Sequence, residues 1–117
     1  MRRLIFLAAA ALAACTTVPP PEAGPTAALG QIAVVEGLRI RPLSVVEDSR
    51  CPINARCVWA GRMILRAEVN RGPLDLTLGG PVAYAGGRLA LVAAEPGRMA
   101  GRETNPADYR FTFAFER

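Results

Sequence analysis

Apolar and polar residues alternate with a period of two along most of the chain after residue 30, a pattern that predicts half-buried strands. Tyr109, Phe111, Phe113 and Phe115 alternate with Arg110, Thr112, Ala114 and Glu116, describing a last strand with one aromatic face. Leu74, Leu76 and Leu78 alternate with Asp75 and Thr77. Between Val58 and Arg71 the odd positions Trp59, Gly61, Met63, Leu65, Ala67 and Val69 are apolar or small, while the even ones include Arg62, Arg66, Glu68 and Asn70. Asn70-Arg71-Gly72 supplies turn chemistry between these two runs, so they read as a hairpin. Arg88 to Ala94 is a further strand, bounded by Gly86-Gly87 and Pro96-Gly97. Leu38 and Ile40 alternate with Arg39 and Arg41, but beyond Pro42 the apolar phase moves to Leu43 and Val45. A proline cannot donate to a ladder, so a bend or bulge is expected at Pro42. Met99 to Ala107 carries loop residues, and no stretch after residue 30 repeats at 3.6. The expectation is an all-β domain over 31–117, a small antiparallel sandwich or barrel of six to eight strands.

The first thirty residues have a different texture. Arg2 and Arg3 precede an apolar run from Leu4 to Ala14, which ends in Leu12-Ala13-Ala14-Cys15. Crossing a bilayer takes about 20 apolar residues, so this run is too short to be a membrane span. It resembles the lipobox of bacterial lipoprotein signals. That resemblance implies export, removal of 1–14, and lipid on Cys15 that ties the mature chain to a membrane. With two or three acyl chains the attachment is stable. Thr16 rather than Asp follows the cysteine, which by the same resemblance implies the outer membrane, with the domain in the periplasm. Thr16 to Gly30 has four prolines and no apolar periodicity, and reads as an extended tether, giving 15–30 as lipidated cysteine and spacer.

The chain has 117 residues, so the folded part is small and a covalent staple matters to its stability. All fourteen basic residues are arginine; loss of Arg2 and Arg3 leaves twelve against ten acids, a balance of +2. The arginines are scattered singly, without the run that tracks a phosphate backbone, so no nucleic-acid partner is expected.

The most distinctive segment runs Glu47-Asp48-Ser49-Arg50-Cys51-Pro52-Ile53-Asn54-Ala55-Arg56-Cys57-Val58-Trp59-Ala60-Gly61. In an exported chain, Cys51 and Cys57 are expected to form a disulfide. Zinc would need two further ligands; there is no His and no fourth Cys, so neither metal nor cofactor is expected. Written D-S-R-C-P-x-x-x-x-C-V-W-A-G, the segment resembles the signature of an uncharacterised family of small exported bacterial β-domains. The likeness extends loosely over Gly30 to Glu116, and it implies fold and compartment without an activity.

Two readings of this loop compete. In one, Glu47, Asp48, Arg50 and Trp59 form a recognition edge. In the other, Trp59 packs inward against the disulfide while Asp48 and Arg50 fix the loop by hydrogen bonds. Trp59 shares a phase with Met63 and Leu65, so the second is expected. Catalysis has little to work with: His is absent, Ser44 and Ser49 are the only serines, and Glu47 and Asp48 as strand neighbours point to opposite faces. No glycine-rich phosphate loop leads from a strand into a helix. The expected function is therefore non-catalytic: an envelope lipoprotein whose β-domain binds a protein or envelope component, or supports an assembly. The alternative is a periplasmic inhibitor that plugs the cleft of a hydrolase, a lysozyme or a protease, with the disulfide-closed loop.

Overall fold

The computed structural model describes residues 24–117; the expected signal, Cys15 and most of the segment expected to be a tether lie outside the described residues. Eight strands form two antiparallel sheets. The strands are Thr26–Ala27 (β1), Ala33–Val35 (β2), Leu38–Asp48 (β3), Met63–Val69 (β4), Gly72–Thr77 (β5), Val82–Tyr84 (β6), Gly87–Glu95 (β7) and Arg110–Glu116 (β8). One sheet has the order β2-β3-β4-β5 and the other β1-β8-β7-β6. One short 3-10 turn, Pro106–Asp108, leads into β8 and is capped by the Asn105 side chain.

The alternation read from the sequence is the alternation of burial. Leu38, Ile40, Met63, Leu65, Ala67, Val69 and Leu76 from one sheet meet Leu89, Leu91, Phe111, Phe113 and Phe115 from the other in one core. Arg39, Arg41, Arg66 and Asp75 stand on the outer face between them. The β4–β5 hairpin pairs Val69 with Gly72, so its loop is the two residues Asn70 and Arg71, both at positive φ (46° and 73°). That is the geometry of a type I′ turn, whose twist matches that of the flanking strands.

The slip at Pro42 is a bulge. Pro42 pairs with Ala67 and Ser44 with Arg66, leaving Leu43 as the extra residue; Val46 is extra between Val45 and Glu47 in the same strand. Val92 is passed over in the same way between Leu91 and Ala93 of β7. All three bulged residues are exposed. An apolar residue extruded by a bulge leaves the inward phase, and this explains three of the exposed aliphatic side chains without any partner.

Two boundaries differ from expectation. The fold begins before residue 31: Thr26 pairs with Thr112 and Ala27 with Phe111, Pro25 O accepts from Phe113 N at 3.0 Å, and Ala27 is 2 % exposed. This short addition covers the edge of β8, which would otherwise present unpaired backbone groups to solvent. Two residues are too few to show a period, so strand pairing begins inside the segment whose composition reads as a tether. The strand expected from Val58 begins only at Met63.

The molecule has two poles. At one, the end of β3 at Asp48 meets the start of β4 at Met63 and the disulfide loop between them. At the other lie the β2–β3 turn and the Asn70-Arg71 turn. The described chain enters near this second pole, because Gly24 O accepts from Val34 N at 3.1 Å and Val34 pairs with Arg39. Seven residues of β4 separate the two levels, a distance of roughly 25 Å.

Candidate functional site

Asp48 is the last residue of β3, and Arg50 follows it after a single serine. The Arg50 guanidinium grips the Asp48 carboxylate in a forked pair, Nε to Oδ1 at 2.8 Å and Nη2 to Oδ2 at 3.0 Å. It also reaches into the opposite sheet, where Nη1 donates to Ala94 O at 2.8 Å and Nη2 to Pro96 O at 3.1 Å. The Tyr109 hydroxyl donates to Asp48 Oδ2 at 2.7 Å, and its ring stacks on Phe111. The Arg50 and Asp48 side chains are only 17 % and 9 % exposed.

The cluster is electrostatically closed. Burial pushes the Asp48 carboxyl up, but the hydrogen bonds from Arg50 and Tyr109 and the charge of Arg50 outweigh it and hold its pKa below the usual carboxylate value. The same bond to Asp48 raises the pKa of Arg50. Burial, then the bond to Asp48, raises that of the Tyr109 phenol. A carboxylate that already accepts three donors and stays ionised has nothing left to offer a substrate as acid or base.

Glu47 and Asp48 do point apart, as strand neighbours must. Glu47 pairs with Arg62 near the surface, on the outer side of the loop. Both of these side chains are well exposed, so the pair contributes little to stability.

From Arg50 onward the loop is braced on both sides. Ser49 N donates to Arg62 O at 2.8 Å, Arg62 N to Ser49 Oγ at 3.1 Å, and Cys51 N to Ala60 O at 3.2 Å. Against the 94–100 segment, Arg98 Nη1 donates to Arg50 O at 2.8 Å, Ile53 N to Arg98 O at 2.9 Å, and Ala100 N to Asn54 Oδ1 at 2.8 Å. The Cys51–Cys57 disulfide is formed, with Cα atoms 5.8 Å apart.

This braced loop presents three large apolar side chains to solvent, beside the exposed Asn54 and Arg56. Trp59 is 81 % exposed, Val58 92 % and Ile53 74 %. The inward packing expected for Trp59 is therefore corrected: it stands in solvent. Gly61 is the reason. It sits at φ 66°, and a Cβ there would come within 1.7 Å of Ser49 O, so only glycine fits. A residue in the left-handed region breaks the alternation, and the inward phase of Met63 and Leu65 does not carry back through it to Trp59.

Of the four candidate binding residues, the structure joins Asp48 and Arg50 in a structural cluster, places Glu47 in a surface ion pair, and leaves Trp59 free. Sequence reasoning missed Ile53 and Val58; their signal was an aliphatic side chain inside a Pro, Asn and Arg loop with no strand to bury it. It also missed Tyr109 and Arg98 as braces, because both come from a distant part of the chain. Among the described residues, no group of three or more His, Cys, Asp or Glu side chains is gathered as a metal would require. Comparison with family models, curated proteins and solved structures finds no match for this chain.

Proposed function

We propose that this chain is an exported, lipid-anchored envelope protein without catalytic activity, whose β-domain captures a protein partner through the disulfide loop. The lipobox resemblance at Leu12 to Cys15 and the resemblance of the D-S-R-C-P segment to exported β-domains support the compartment. The observation that carries the binding role is the exposure of Ile53, Val58 and Trp59 on one braced loop. Single exposed apolar residues are ordinary on a small protein, but three large ones carried by one braced loop are a concentration that suits an interaction site. Tryptophan in particular concentrates binding energy at interfaces. The bracing matters equally: a loop already fixed by a disulfide and by main-chain bonds loses little freedom on binding.

Photo-crosslinking from position 58 in intact cells tests this reading. A partner that is crosslinked by the parent and lost in Trp59→Ala supports it, and identical crosslinks in both chains, or none, count against it. The alternative, inhibition of a hydrolase, is favoured by the rigidity of the loop, which suits insertion into a cleft. Its check is inhibition of lysozyme or a protease by the purified chain, abolished by Trp59→Ala.

A further inference from the structure

Three arginines that form no ion pair among the described residues gather at the pole opposite the disulfide loop, with Glu68 across from Arg41 in the β3–β4 register. Arg39 and Arg41 stand on the outer face of β3, and Arg71 occupies the second position of the β4–β5 turn. Together with Ile32, Glu68 and Asn70 they line a shallow depression of about 670 Å³. The backbone fixes their proximity: Asn70 N donates to Arg39 O at 2.9 Å and Arg39 N to Asn70 Oδ1 at 3.1 Å, so the turn that carries Arg71 is clasped to Arg39. Among the described residues the ion pairs are Arg50–Asp48, Arg62–Glu47 and Arg66–Asp75, and none involves these three arginines. Glu68 is the one carboxylate in the depression, which leaves it with an excess charge of +2.

Arg71 stands where its backbone disfavours it. The turn places it at φ 73°, a conformation that costs an L-residue and is free for glycine. A cationic side chain in a place better suited to glycine is an outlier that points to use of the charge.

The chain enters the fold at this same pole. Gly24 O is bonded to Val34 N, and Val34 lies beside Arg39. If Cys15 carries the lipid, the eight residues 16–23 separate the anchor from Gly24, and fully extended they reach roughly 25 Å. The membrane then approaches from the arginine pole, and the Trp59 loop faces away from it.

We infer that the Arg39, Arg41 and Arg71 face rests on the anionic head groups of the membrane that holds the protein, and so sets the domain with its disulfide loop pointing outward. The side of approach rests on the lipid-anchor reading; the charge of the face does not. Arginines held near an anionic surface each strengthen association about fivefold, and the attraction decays within a Debye length, about 10 Å at 0.1 M salt. A tether that reaches no further than roughly 25 Å lets the face come into contact with the surface, and the attraction acts once it is within that range.

The test uses the chain purified from the cells that make it, with whatever modification Cys15 carries. It is mixed with vesicles of phosphatidylcholine alone, or with about a third phosphatidylglycerol, at salt low enough for the surface potential to act. Binding to phosphatidylcholine vesicles reads the anchor, and hydrogen exchange of the bound chain reads the face. With phosphatidylglycerol, amides of the Asn70-Arg71 turn and of β2 should exchange several-fold more slowly than with phosphatidylcholine. The difference should vanish at about 1 M salt and in an R39Q/R41Q/R71Q variant that melts like the parent. Arg71→Gly should melt higher than the parent yet show less protection, a combination that a purely structural role for Arg71 does not produce. Equal exchange in the two vesicles overturns the inference, as does slowing confined to 51–61. A chain that ignores phosphatidylcholine vesicles sinks the anchor reading. In that case, low-salt binding to phosphatidylglycerol vesicles that the triple variant loses still supports the arginine face, and no binding overturns it.

Discussion

The Tyr109 hydroxyl and the Asp48 carboxylate meet at 2.7 Å, and this bond ties the start of the last strand to the end of β3 in the other sheet. Arg50 extends the tie to the carbonyls of Ala94 and Pro96, so a single half-buried cluster holds the two sheets together at the loop pole. Its parts are interdependent. Arg50→Ala leaves the Asp48 carboxylate shielded from water with its main partner gone, and frees two carbonyls. The expected cost is about 2 to 3 kcal/mol, measured as the change in urea midpoint at unchanged slope. A loss below about 0.5 kcal/mol, the level of an ordinary surface substitution, would return Arg50 to the role of a free recognition residue.

The same cluster sets how stability responds to pH. The folded Asp48 pKa lies below that of the unfolded carboxyl, about 3.9, so the unfolded chain binds the proton more readily. Its contribution is therefore complete above that value and is lost as pH falls through the folded pKa. Tyr109 has the opposite sign. Its folded pKa is raised above the ordinary phenol value near 10, so its contribution is present below about pH 10 and is lost as pH rises through the folded pKa. Denaturation across the range should show a shallower acid limb in Asp48→Asn and a shallower alkaline limb in Tyr109→Phe. Variants whose curves run parallel to the parent's would show that the cluster does not govern either limb.

The strands were legible because the period-two pattern is written directly in the side chains: Phe111, Phe113 and Phe115 are buried where alternation places them. Pro42 announced its bulge because it lacks an N–H. Val92 did not announce the bulge in β7, since valine fits a regular strand as well as a bulged one. The cluster was half legible. Asp48 and Arg50 are near neighbours with opposite charges, whereas Tyr109 comes from sixty-one residues away, and only the pairing of the sheets brings it in. Trp59 was misread because alternation was extended through Gly61, whose φ depends on a close approach to Ser49 that the sequence does not display.

The disulfide closes a ring of seven residues, from Cys51 to Cys57. On the chain-entropy argument it should contribute roughly 2 to 2.5 kcal/mol. Replacing both cysteines with serine, or reducing the parent, should lower stability by that amount. The braces from Arg98 and Asn54 remain, so the exposure of Trp59 should hardly change, and its fluorescence emission should stay that of a solvated indole. A blue shift on reduction would mean that the disulfide, rather than the hydrogen bonds, keeps Trp59 out of the core.

The anchor has its own check, independent of the fold. The lipobox resemblance predicts that the membrane fraction contains a chain beginning at Cys15 with two or three acyl groups, and mass spectrometry of the N-terminal peptide reads this directly. A soluble chain with an unmodified Cys15 would remove the membrane from the proposed function and leave the loop as a recognition surface in solution.

The exposure of Trp59 makes the sharpest prediction about the loop, because it separates stability from binding within one molecule. Trp59→Ala removes a side chain that stands four-fifths in solvent, so it should change stability by no more than about 0.5 kcal/mol. Phe111→Ala is the contrast. Phe111 is fully buried between the sheets, and its truncation should cost about 3 to 5 kcal/mol. If Trp59 serves a partner, the first substitution should abolish capture while the melting temperature stays within a few degrees of the parent's. Were Trp59→Ala as damaging as Phe111→Ala, the indole would have to pack inward in solution, and the loop would lose the one aromatic surface on which the binding role rests.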